Sequence, residues 1–240
     1  MYINDIPILY YVLFCVIGMI IGQFMDWCNY RIVDKKKIFS KEIFKNIKPN
    51  YFLMLINAVF YILILYKYGL PKNISNSINL FKFIILSPML ISAFYIDYKL
   101  HIIPNRLNLT IFEVGFLITV IGGISDINYA INSIQGMLIG GIVFIIITLI
   151  GGIIAGKEAM GYGDVKFIAA LGLYFGFANM LAIIIISFII SAILSILLII
   201  FKIKKSNEYI AFGPFIVIAC YITIFIPLNS ILGVIINILK

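Results

Sequence analysis

The chain has 240 residues, 63% of them hydrophobic and only 12% charged, with a mean hydropathy of +1.14. That composition excludes a soluble globular domain and points to a chain that crosses a membrane several times, with too little polar sequence left for a separate soluble domain. The net charge of +8 is no nucleic-acid signal, because the basic residues fall between apolar runs, where they orient helices in a bilayer.

A hydrocarbon core of ~30 Å takes about 20 helical residues. Cutting the chain at its polar interruptions predicts an all-α, polytopic membrane bundle of about eight transmembrane helices. The expected spans are Ile6 to Tyr30, Asn50 to Tyr68, Leu80 to Ile96, Leu107 to Gly123, Ser133 to Ala155, Val165 to Phe177, Asn179 to Phe201 and Ala211 to Leu239. The first run lacks a basic leading region and a small-residue cleavage site, so it is expected to remain as a span and not be removed as a signal peptide. Between Val165 and Phe201 the only breaks are Gly172, Gly176 and Asn179, which predicts a tight hairpin near Gly176 in place of one very long helix. Pro214 and Pro227 predict a kink or late break in the last span. The outer connections, Lys72 to Ser77 and Ser125 to Asn128, read as turns. The glycine pairs Gly140-Gly141 and Gly151-Gly152 suit close helix packing.

Orientation follows from the basic residues. The loop after the first span carries Arg31, Lys35, Lys36, Lys37, Lys41, Lys45 and Lys48 against Asp34 and Glu42, which places it in the cytoplasm. Alternating from there puts Lys99, Arg106, Lys157, Lys166, Lys202, Lys204 and Lys205 on the same side. It also puts two acids, Asp97 at the end of the third span and Asp164 at the start of the sixth, at the cytoplasmic face.

Asp164 lies in the stretch Glu158-Ala159-Met160-Gly161-Tyr162-Gly163-Asp164-Val165-Lys166. An acid where an apolar span begins is costly to desolvate, so it is expected to be neutralised or used in chemistry. Asp97 opens the other polar interruption, Ile96 to Arg106, in which Pro104 biases Ile103 toward an extended form and turns the chain. Paired carboxylates can activate water for hydrolysis without a metal or a nucleophile triad. Two close acids do not both ionise cheaply, so one keeps a proton to polarise a carbonyl while the other takes a proton from water. Gly161 and Gly163 are expected to give the backbone unusual torsions and close approach beside the acid.

These segments resemble the type IV prepilin leader peptidases, a family of G-x-G-D membrane aspartic proteases. The resemblance runs from Ile96-Asp97 and Ile103-Pro104-Asn105-Arg106-Leu107, through Glu158 to Lys166 and Ala169-Ala170-Leu171-Gly172, to Ala211-Phe212-Gly213-Pro214. It implies that Asp97 and Asp164 are the catalytic pair, with Gly161, Gly163 and Pro104 in support and no metal. The implied substrates are prepilins and pseudopilins, whose basic leader is cut at the cytoplasmic face of a bacterial inner membrane just before an apolar helix. The lipid bilayer is the other partner, and nucleic acid is none. Glu158 is a candidate contact for the leader's lysines. In this reading residues 1–79 form a two-span segment with a short basic loop, and residues 80–240 form the peptidase core.

The N-terminal region departs from the family pattern. Gly22 to Arg31 keeps only a skeleton of it, the paired cysteines are absent, and the loop from Ile32 to Pro49 is short. N-methylation of the product with S-adenosylmethionine is therefore left open, while the peptidase itself calls for no cofactor. Another G-x-G-D protease, such as a preflagellin or signal-peptide peptidase, is the nearest alternative, and a small proton- or cation-coupled transporter is the alternative of a different class. His101 is expected to be solvated. Cys15, Cys28 and Cys220 are expected to be core residues, and Asp26 and Glu113 to face the bundle interior or a polar cavity.

Overall fold

A computed structural model describes residues 2–4, 6–33, 49–71, 74–155, 160–202 and 210–226. Apart from a two-residue antiparallel ladder, β1 (Tyr2–Ile3) with β2 (Ile6–Pro7), the ordered elements are helices. They are α1 (Ile8–Val33), α2 (Tyr51–Tyr68), α3 (Ile74–Leu100), α4 (Asn105–Ser125), α5 (Ile127–Ala155), α6 (Tyr162–Ile200) and α7 (Gly213–Phe225). Among the described residues six helices are long and apolar enough to cross a membrane. Their outward faces are apolar too, as at Ile124 and Ile153, which are 82% and 84% exposed. Helices are the form in which a spanning segment satisfies its own backbone polar groups.

The difference from the expected eight spans has two sources. The sixth and seventh are the two arms of α6, a 39-residue helix broken at Gly176, where φ is 72° and ψ is 178°. Contacts along α5 show that the chain reverses there. An added Cβ at Gly136 would sit 2.5 Å from the Gly172 carbonyl oxygen. One at Gly140 would meet both Ile168, before the break, and Met180, after it. The Phe144 ring lies 5.7 Å from Phe188. Advancing along α5 thus runs down the first arm and up the second, so both arms lie on α5 as the expected hairpin. The eighth span appears as the 13-residue α7, and the part expected beyond 226 lies outside the described residues. Pro214 does not kink that span: it sits in the first turn of α7, where its missing N–H has no intrahelical partner to lose.

Two turns are tighter than expected. Ile74 to Ser77 already belong to α3, and Asp126 alone separates α4 from α5, its carboxylate accepting the Asn128 N–H at 3.0 Å. That bond is a helix N-cap, so α5 starts at Ile127 and not at Ser133.

The chain divides into two compact units, Met1–Ser92 and Ala93–Lys240. In the first, Gly18 and Gly22 of α1 face α2, and Cβ atoms added there would lie 2.7 Å from the Ala58 Cα and 2.5 Å from the Leu53 carbonyl oxygen. Asn50 caps α2 and ties it to α1. Its side chain accepts the Leu53 N–H and donates to Asp26 Oδ1 at 2.7 Å, while its own N–H donates to Gln23 Oε1 at 3.0 Å. Asp26 is accordingly buried, as expected of an acid in a span. In the second unit the Tyr174 hydroxyl donates to the Ile111 carbonyl at 2.9 Å, joining α6 to α4. The rings of Phe144, Phe188 and Phe212 meet with centroids 5.1 to 5.8 Å apart, joining α5 and α6 to the start of α7.

Gly176 is the residue on which the reversal depends, since its torsions belong almost only to glycine and an added Cβ would lie 2.3 Å from Asn132 Nδ2. Gly176→Ala is expected to destabilise the protein by about 1–3 kcal/mol or more, read as a lowered thermal midpoint in detergent. An unchanged midpoint would show that the break is not built on this residue.

Candidate active site

Three chain segments meet at one end of the second unit. Asp97 stands in the last turn of α3, which the chain leaves through His101, a non-glycine residue with φ of 54° whose N–H donates to the Asp97 carbonyl at 2.9 Å. Pro104, with φ of −63° and ψ of 136°, caps α4, and its carbonyl accepts the N–H groups of Leu107 and Asn108. Asp164 stands in the first turn of α6, its N–H donating to the Gly161 carbonyl at 3.0 Å. The acids come from different helices, yet both line one cavity of about 280 Å³. Asp97 is 3% exposed and Asp164 4%.

The loop after α3 and the turn before α6 are fastened to each other. Gly163 packs on Ile103, and an added Cβ would lie 3.2 Å from the Ile103 carbonyl oxygen. Asn108 Nδ2 donates to the Gly163 carbonyl at 2.9 Å, and Lys166 Nζ donates to Asn105 Oδ1 at 3.0 Å. A net contribution of about 1 kcal/mol per hydrogen bond makes these modest individually, but they act at the residues next to Asp164. The third fastening comes from α7: the Gly213 N–H donates to Asp97 Oδ2 at 2.9 Å in a buried position. A Cβ at Gly213 would lie 2.5 Å from that same oxygen, so a larger residue there would have to displace the carboxylate.

Of the residues expected from the sequence, Asp97, Asp164, Gly161 and Gly163 line this cavity, Pro104 lies in the chain between two lining residues, Ile103 and Asn105, and Glu158 lies outside the described residues. The glycines work differently from expectation. Neither Gly161, with φ of −69°, nor Gly163 has a positive φ, so torsional freedom is not what they supply. Gly163 supplies closeness, and the backbone that approaches it is the chain's own Ile103. His101 is exposed as expected, but it also lines the cavity with both acids, which a reading as a merely solvated side chain does not contain. Glu113 does not face inward: it is on the exposed side of α4, opposite the face that carries Leu107, Ile111 and Gly115. Asn108 and the Gly213 amide were not singled out as contacts. An asparagine in an apolar run was visible for the first, and nothing in the sequence reveals a backbone donor. Among the described residues no three His, Cys, Asp or Glu gather as metal ligands would.

Cysteines placed at 97 and 164 are expected to be joined by a short bifunctional thiol reagent. Failure to crosslink with both thiols reactive would contradict a shared cavity.

Residues 84–196 match the type IV leader peptidase family. Among curated relatives, the prepilin leader peptidase/N-methyltransferase of Aeromonas hydrophila is 28% identical over 141 residues, covering 59% of this chain and 48% of the relative. Its namesake from Xanthomonas campestris pv. campestris is 30% identical over 143 residues, with 59% and 48% covered. That of Neisseria gonorrhoeae is 27% identical over 139 residues, with 58% and 46% covered. The chain spans about half the length of the curated relatives it matches. No solved structure matches it. The stretch that is similar to the type IV leader peptidase family, residues 84–196, carries both acids and the turn between Gly161 and Asp164.

Proposed function

We propose that the chain is a membrane aspartic endopeptidase that removes the basic leader of type IV prepilins and pseudopilins, with Asp97 and Asp164 activating water. The observation that carries this reading is the convergence of two nearly fully buried acids from separate helices on one cavity. One carboxyl group, holding a proton, donates it toward the scissile carbonyl oxygen, while the other, ionised, accepts a proton as water attacks the carbonyl carbon. The tetrahedral intermediate collapses with a proton passing to the leaving amine. The two acids act as one titrating unit, so rate against pH is bell-shaped. Gly213 orients Asp97, and Asn108 holds the carbonyl just before Asp164.

In this reading the protein sits in a bacterial inner membrane with the acids toward the cytoplasm, because the connections on that side carry the lysines and arginines. Prepilins and pseudopilins are its protein partners, nucleic acid has no part, and Glu158 stands as a contact for the leader. The peptidase reaction takes no cofactor. Methyl transfer from S-adenosylmethionine is left out of the proposal. The family match begins at residue 84 and does not extend over α1 and α2.

The test is incubation of the purified chain with a prepilin from the same genome, followed by mass measurement of the new terminus. Asp97→Asn and Asp164→Asn are each expected to slow cleavage by about a thousandfold or more without lowering the thermal midpoint. Full cleavage by either variant would sink the assignment. Gly213→Ala, which pushes on Asp97 without removing it, is expected to cost about a hundredfold. If it cleaves at the full rate, the Gly213 amide does not position the acid.

A further inference from the structure

A second cavity adjoins the catalytic one. It measures about 420 Å³, opens between α4, α5 and α6, and its walls are mostly apolar, with Leu109, Phe112, Met137 and Ala169 among them. The two cavities share Asn105 and Lys166, so the hydrogen bond from Lys166 Nζ to Asn105 Oδ1 lies where the polar cavity gives way to the apolar groove. Asn108 also lines the groove. It is 4% exposed, its Nδ2 is engaged by the Gly163 carbonyl, and its Oδ1 has no hydrogen-bond partner among the described residues. The Nδ2 bond fixes which way the amide faces. A buried acceptor left without a donor is uncommon in a finished structure, and this one stands in the groove wall, one residue contact away from the acid at 164.

A peptide chain crossing both cavities has to be polar where it faces Asp97 and Asp164 and apolar where it enters the groove. We propose that the groove seats the apolar segment on one side of the substrate's scissile bond, and that Asn108 Oδ1 accepts an N–H from that segment. Phe112, Met137 and Ala169 then set which apolar side chains fit. The inference rests on the endopeptidase reading and deepens it, since it assigns specificity to residues outside the pair of acids. The unsatisfied Asn108 Oδ1 favours the substrate over a lipid chain as occupant, because a peptide backbone brings an N–H to it and an acyl chain has no donor to give.

The test uses the full-length chain in membranes with a prepilin-like substrate that has phenylalanine among its first apolar residues. A photo-crosslinking amino acid at 112, in the Asp164→Asn background, is expected to capture the substrate on the apolar side of the cut. Capture of phospholipid alone, or of the leader side, would overturn the proposal. Separately, Ala169→Phe narrows the groove and is expected to lower kcat/KM for that substrate at least tenfold, mainly through KM. Replacing the substrate's phenylalanine by alanine should restore most of the loss. Equal loss on both substrates, or none on either, would refute the seat. Cleavage of the same substrate by the unmodified protein is read in parallel: its absence counts against the peptidase reading itself, whereas its presence with unselective Ala169→Phe counts only against the groove.

Discussion

Two acids on separate helices share a cavity only if the backbone segments that carry them are pressed together. Here that closeness rests on Gly163, which has no side chain to hold off Ile103. A Cβ there would lie 3.2 Å from the Ile103 carbonyl oxygen, so a larger residue would require the two segments to give by a few tenths of an ångström. The bond from Asn108 to the Gly163 carbonyl secures the same contact from α4. Pro104 keeps the intervening loop extended until α4 begins, so Asn105 and Asn108 face the turn they hold. One short contact thus links the geometry of α3, α4 and α6.

A contact of that kind needs a firm base, and the base is the pairing of α5 with the two arms of α6. Gly136 and Gly172 bring the backbones into touch, and Gly176 returns the chain along the same helix. Without strong hydrophobic drive between helices in lipid, close packing at small residues is what association depends on. The ring cluster of Phe144, Phe188 and Phe212 then carries that base to the start of α7, where Gly213 meets Asp97. The residue that orients one acid therefore depends on the same helix pair that supports the other.

Much of this was legible in the chain. Composition alone gave a membrane bundle, and the breaker at Gly176 gave the hairpin, because a glycine in a long apolar run is a signal that needs no partner to be read. The two acids stood out for the same reason: charge in an apolar context is visible one residue at a time. Helix ends were less legible. Asp126 as a one-residue turn, and α3 extending back to Ile74, depend on capping bonds and packing that polarity does not reveal. The cost of an acid in a span suggests burial for Glu113, whereas its position on α4 opposite Leu107 and Ile111 turns it outward.

Sequence by itself determined the class of the protein, the hairpin folding of α6, and the identity of Asp97 and Asp164 as the acids to watch, since each of these follows from residue type and spacing. Tertiary structure alone decided what surrounds those acids. That Gly213 gives its N–H to Asp97, that Gly163 serves packing and not torsion, and that an apolar groove opens beside the polar cavity are relations between segments up to 116 residues apart. A backbone amide has no signature in the sequence, and a cavity is made by what several helices leave unfilled, so neither is encoded at any one position.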